Sequence, residues 1–150
     1  LSTLHTQGAA KSINRIVDVF PADQQAQIRT QLGDTLQGVI SQTLLPLSQT
    51  DGRTIATEVL INTPAVANMI REGQVAQLYS AMQAGSAVGM HTLDQDLKRL
   101  VEEGTIAQHV AKAFAVDPKS LDDVYVRPQE LDAEAWSVHA GEWHQQRAEV

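Results

Sequence analysis

Apolar residues recur along this chain at helical spacing in short runs separated by turn signals. Residues 2–5 read as the buried end of a strand, followed by Gln7-Gly8 as a turn. Ile13, Ile16, Val17 and Phe20 then fall at i, i+3, i+4 and i+7, which predicts a helix with one apolar face. Pro21 opens the next helix, whose stripe of Ile28, Leu32, Leu36, Val39 and Ile40 continues to about Gln42. Gly33 and Gly38 sit inside that stripe, each at a cost of about 1 kcal/mol relative to Ala, which suggests close packing against a sheet. Residues 44–47 and 53–61 read as two strands joined at Thr50-Asp51-Gly52.

The best-marked element follows. Thr63 is placed to cap a helix with its hydroxyl, Pro64 suits the first helical position, and Gly73 suits the left-handed residue past the end. Ala65, Val66, Met69 and Ile70 fall on its expected apolar face, and Asn68, Arg71 and Glu72 on a face toward solvent or a partner. Val75, Leu78, Tyr79 and Met82 predict another short helix closed near Gly85. Thr92-Leu93-Asp94-Gln95 fits a capping box, with Leu93, Leu97, Leu100 and Val101 behind it. Thr105 to Gln108 repeats the box ahead of Ile106, Val110 and Phe114, and Asp117-Pro118 stops that helix. Val124-Tyr125-Val126 reads as a short extended piece, and 130–147 as helix-compatible with Trp136 and Trp143 near one face, suited to docking the tail.

Composition narrows the function classes. The chain has 150 residues, enough for one domain with a real core, which is aliphatic because aromatic residues make up only 4%. With no cysteine, disulfides, thiolate catalysis and cysteine-ligated zinc are excluded. A net charge of −7 argues against nucleic acid as a partner, since phosphate backbones require concentrated Lys and Arg. No apolar run approaches the ~20 residues needed to cross a bilayer. The opening Leu-Ser-Thr-Leu-His-Thr has no initiator Met and starts in strand-like sequence, so the chain reads as a fragment.

Candidate chemistry is sparse. Lys11-Ser12 is not the end of a phosphate-binding loop, because His5 and Ala10 stand where Gly-x4-Gly-Lys-Ser/Thr requires glycine. Glu58 is open to reading as a metal or water ligand, but a solvated or salt-bridged strand residue is the simpler account. His139, Glu142 and His144 do not make a metal site, since a His spacing of five does not bring both imidazoles to one helical face. A lone His such as His5 is by itself most simply a structural hydrogen bonder.

Several motifs carry a resemblance. Ala65, Val66, Ala67, Asn68, Met69, Ile70, Arg71 and Glu72 resemble the AIRNLIRE box of PilT-type ATPases, the retraction motors of type IV pili, with Ala67 at the family's Arg and Met69 at its Leu. Residues 73–95, ending Gly89-Met90-His91-Thr92-Leu93-Asp94-Gln95, are similar to that family, as are 36–46 and 3–21, the last beginning at the family's His box. The resemblance runs to about Leu121, and Thr57 stands where the family often has His.

The resemblance implies a fold class of α/β to α+β, mostly helical: the C-terminal portion of a RecA-like P-loop ATPase core with a small antiparallel hairpin and a helical subdomain. It implies a partial core over 1–62, a helical subdomain over 63–121 and a tail over 122–150. It implies a homo-hexamer that binds ATP and Mg2+, hydrolyses ATP and retracts pili at the cytoplasmic face of the inner membrane, touching pilus-base components. His5 would contact the phosphate side, near the γ-phosphate. Residues 65–72 would couple hydrolysis to movement, with Arg71 and Glu72 foremost. Lacking the phosphate loop, the chain alone is expected to be inactive and to hold no metal or nucleotide. The alternatives are a non-catalytic interaction or oligomerisation module, and a related pilus-assembly or type II secretion ATPase.

Overall fold

In the computed structural model, which describes residues 2–125, helices surround a single β-hairpin. The helices are α1 (Ala9–Asp18) and α2 (Gln25–Thr35) before the hairpin, then α3 (Pro64–Arg71), α4 (Leu78–Ala84), α5 (Leu93–Glu102) and α6 (Gln108–Phe114). The hairpin pairs β1 (Gly38–Pro46) antiparallel with β2 (Arg53–Ile61), Gly38 facing Ile61 and Pro46 facing Arg53. Single 3-10 turns at Val75–Gln77, Ser86–Val88 and Pro118–Leu121 complete the path. Among the described residues no helix is long and apolar enough to cross a membrane.

Two apolar clusters lie against the inner face of the hairpin. Ala9, Ile13, Leu60, Val66, Ile70, Leu78 and Met82 form one, joining α1, β2, α3 and α4. Leu45, Ala56, Leu97, Leu100, Val101, Ile106 and Leu121 form the other, beneath α5. Strand alternation sorts the side chains: Ala56, Glu58 and Leu60 point inward, whereas Ile40, Leu44 and Ile55 are exposed on the opposite face.

Several local expectations are corrected. Residues 2–6 are irregular, not strand: the described sheet contains only β1 and β2, and a strand without a ladder partner leaves its amides unpaired. The helix expected to reach Gln42 ends at Thr35, and β1 begins at Gly38. The Asn62 side chain imposes this stop, donating to the free carbonyls of Gly33 (2.9 Å) and Leu36 (2.8 Å). Gly33 packs on α3 and not on the sheet, since a Cβ there would lie 3.0 Å from the Ala67 carbonyl oxygen. The second capping box does not form: α6 starts at Gln108 after Ala107, with no side-chain cap. Gln108 instead donates to the Leu121 carbonyl. Phe20 and Phe114, expected on apolar stripes, are exposed. The expected extended piece reaches Val126, and the Trp136, Trp143 and His139 readings lie wholly outside the described residues.

Candidate functional site

Helix α3 is built as its end signals require. The Thr63 hydroxyl accepts from the Val66 amide (3.3 Å), Pro64 opens the helix, and Gly73 adopts φ +71° just past its end. Its buried side differs from expectation: Val66, Ala67 and Ile70 are buried, Met69 is at the margin, and Ala65 is exposed. The face turns because α2 docks beside Ala67, at the point where Gly33 has no side chain to hold the helices apart.

Asn68, Arg71 and Glu72 remain exposed. Arg71 Nη2 lies 2.6 Å from Asp34 Oδ1 at the end of α2, and Asn68 donates to Glu72 Oε1 at 3.0 Å. Asp34, Arg71, Gln37, Asn62 and Ala67 line an open groove of about 380 Å3 between α2 and α3. The groove has charged walls and an exposed ion pair, which suits a partner surface better than an enclosed ligand site.

His5 is exposed in the irregular segment ahead of α1. Among the described residues no hydrogen bond or ion pair links it to the Ala65–Glu72 stretch, although Ala9 and Val66 share one core cluster. Glu58 is neither solvated nor salt-bridged. It is 5% exposed and, among the described residues, makes no ion pair. Its Oε1 accepts from the Ala9 amide at 2.6 Å and its Oε2 from the Leu93 amide at 3.4 Å, so one carboxylate meets the first turns of α1 and α5. Free amides and the positive end of the helix dipole compensate its burial where no cation does.

A second polar network lies beside it. Thr57 donates its hydroxyl proton to Asp96 Oδ2 (3.1 Å), so the 3.0 Å contact with His91 Nε2 takes its proton from the imidazole. Asp96 also accepts from Arg99 Nε at 2.8 Å. The capping box at Thr92 and Gln95 forms as read from the sequence. Next to it, Asp94 is 7% exposed and accepts from the amides of Val116 (2.8 Å) and Asp117 (2.9 Å) and from the Tyr79 hydroxyl (3.1 Å).

Burial is the largest influence on the Tyr79 phenol and raises its pKa above 10.0; a Thr92 hydrogen bond opposes the rise, and the charges of Asp94 and Glu58 add to it. The folded chain therefore keeps the phenolic proton to higher pH than the unfolded chain does. Stability from this group is fully present below pH 10.0 and declines as pH rises through the folded value. Urea unfolding between pH 9 and 11 is expected to show that decline in the wild type and a shallower one in Tyr79→Phe; equal slopes would reject the linkage.

Sequence reasoning passed over Asp34, Asn62, Ser41 and Asp94 as functional or organising groups. A signal did exist for Glu58, because alternation with Ala56 and Leu60 places it inward. No comparable signal marks Asp34 as the partner of Arg71, 37 residues away.

No family model matches the chain. A type IV pilus retraction ATPase, PilT, from Pseudomonas aeruginosa is 51% identical over 119 residues, covering 79% of this chain and 34% of that protein. A twitching motility protein from Neisseria gonorrhoeae is 47% identical over 119 residues, 79% of this chain and 32% of that protein. A crystal structure of the pilus retraction motor PilT with bound ADP superposes with a TM-score of 0.68 at 43% identity, over 77% of this chain and 32% of that one. The chain thus spans about a third of the length of the curated relatives it matches. The fold expectation, mostly helical with a small antiparallel hairpin, agrees with this likeness. With identity near one half over residues that also share the fold, this chain is PilT-like and belongs to the secretion ATPase family.

Proposed function

We propose that this chain works within a longer ATP-hydrolysing motor, a homo-hexamer that retracts type IV pili in twitching motility at the cytoplasmic face of the inner membrane. The observation that carries this reading is the stretch from Ala65 to Glu72: it resembles the family's coupling box, lies on a helix capped at both ends, and turns Asn68, Arg71 and Glu72 outward. In this reading, 1–62 belong to the ATPase core, 63–121 form a helical subdomain that passes movement to neighbours, and 122–150 form a tail.

The described residues fit a nucleotide only in part. The amide of Ala9 at the start of α1, where an anion would be favoured, is already bonded to Glu58. His5 is the residue this chain offers, as a hydrogen-bond donor on the phosphate side. Bound Mg2+ would neutralise phosphate charge, and the remaining phosphate contacts would come from other parts of the longer protein. The chain alone is accordingly expected to be inactive.

The test is complementation. The full-length protein is expected to hydrolyse ATP in vitro and to restore twitching to cells lacking their retraction ATPase. Hydrolysis without restored twitching would favour an assembly or secretion motor. Neither activity would favour a non-catalytic interaction module.

A further inference from the structure

We infer that Glu58 is a positioning residue for His5, holding in place the turn that presents the imidazole. The inference rests on the proposed phosphate-side role of His5. His5 lies in the irregular segment 2–6, where no sheet ladder among the described residues fixes the backbone, so within them its position depends on the residues that follow.

Those residues are tied down one after another. Thr6 Oγ1 lies 2.6 Å from Ser12 Oγ, and the Ser12 hydroxyl donates to the Gly8 carbonyl at 2.9 Å. The Gly8 amide donates to Ser41 Oγ at 3.0 Å, and the Ala9 amide to Glu58 Oε1 at 2.6 Å. Ser41 and Glu58 face each other across the hairpin, so one cross-strand pair grips two consecutive amides. Gly8 permits this grip: its φ is +89°, and a Cβ there would lie 3.3 Å from Glu58 Oε1. The Ala9 bond is short and charge-assisted, the stronger class of hydrogen bond. The second carboxylate oxygen faces Leu93 at the start of α5, so Glu58 ties the His5 turn to the helical half of the chain.

The test is steady-state ATP hydrolysis by the full-length protein. Glu58→Met keeps the side-chain length and removes both acceptors; it is expected to lower kcat about tenfold or more, because small misplacements of a reacting contact are costly. KM for ATP should stay within about twofold, since other residues carry nucleotide binding. Glu58→Gln keeps one acceptor for Ala9 and is expected to restore most of the rate. In a His5→Ala background Glu58→Met is expected to cause no further loss, as two residues acting through one contact are not additive. An equal loss in both backgrounds, or an unchanged kcat in Glu58→Met, would overturn the assignment. Unchanged kcat in His5→Ala alone would remove the role of His5 and with it this inference. Should Glu58→Met not fold, Ser41→Ala, which frees only the Gly8 amide, is judged by the same criteria.

Discussion

Full-length protein carrying Arg71→Ala is expected to keep most of its ATP hydrolysis and to lose most pilus retraction. Arg71 is on the outward face of α3, and its guanidinium pairs with Asp34 across the mouth of the groove. The side chains of the pair are 38% and 56% exposed, so screening by water leaves it little weight in folding, about 0–1 kcal/mol. Removing it should therefore leave the unfolding midpoint nearly unchanged. Its weight in function is expected to be greater: a planar, always charged group on a rigid helix can exchange Asp34 for a partner's carboxylate. Asp34→Ala gives the discriminating comparison, because it leaves Arg71 unpaired but present. If Arg71 acts on a partner, Asp34→Ala retains retraction; if only the α2–α3 bridge matters, both variants lose it. Equal loss of hydrolysis and retraction in Arg71→Ala would reject the coupling role.

Asp94→Ala is expected to destabilise the chain by about 3 kcal/mol. The carboxylate collects three donors from two separate places, Tyr79 on α4 and the Val116 and Asp117 amides beyond α6. It also lies in the first turn of α5, where negative charge is favoured. Alanine would remove all three bonds and loosen the segment after α6. Asp94→Asn retains one acceptor but turns an amide donor toward a donor, so an intermediate loss is expected. Urea denaturation at pH 7 measures both; a loss below about 1 kcal/mol in Asp94→Ala would place the site among ordinary surface positions.

Local signals were legible wherever the physics is local. A helix end consumes its own neighbours, so Thr63, Pro64 and Gly73 bounded α3 correctly, and Thr92 with Gln95 began α5. The same logic failed at Thr105, because the Gln108 side chain bonds to the Leu121 carbonyl, 13 residues on. It failed at Leu36 because Val39 and Ile40 extend a helical stripe as well as they fill a strand. There the hairpin ladder and Asn62, 26 residues beyond Leu36, settle the matter. Ala65 and Ala67 flank the same stripe, and only the docking of α2 decides which is buried.

The candidate site divides along the same line. The identity of the Ala65–Glu72 stretch, the outward placement of Asn68, Arg71 and Glu72, and the lack of cysteine chemistry are all properties of the sequence, because they depend on residue type and helical period. Alternation alone also directs Glu58 inward. What the buried carboxylate meets is decided by tertiary structure: Ala9 is 49 residues away and Leu93 is 35, and a hydrogen bond acts only between groups the whole fold brings within about 3 Å.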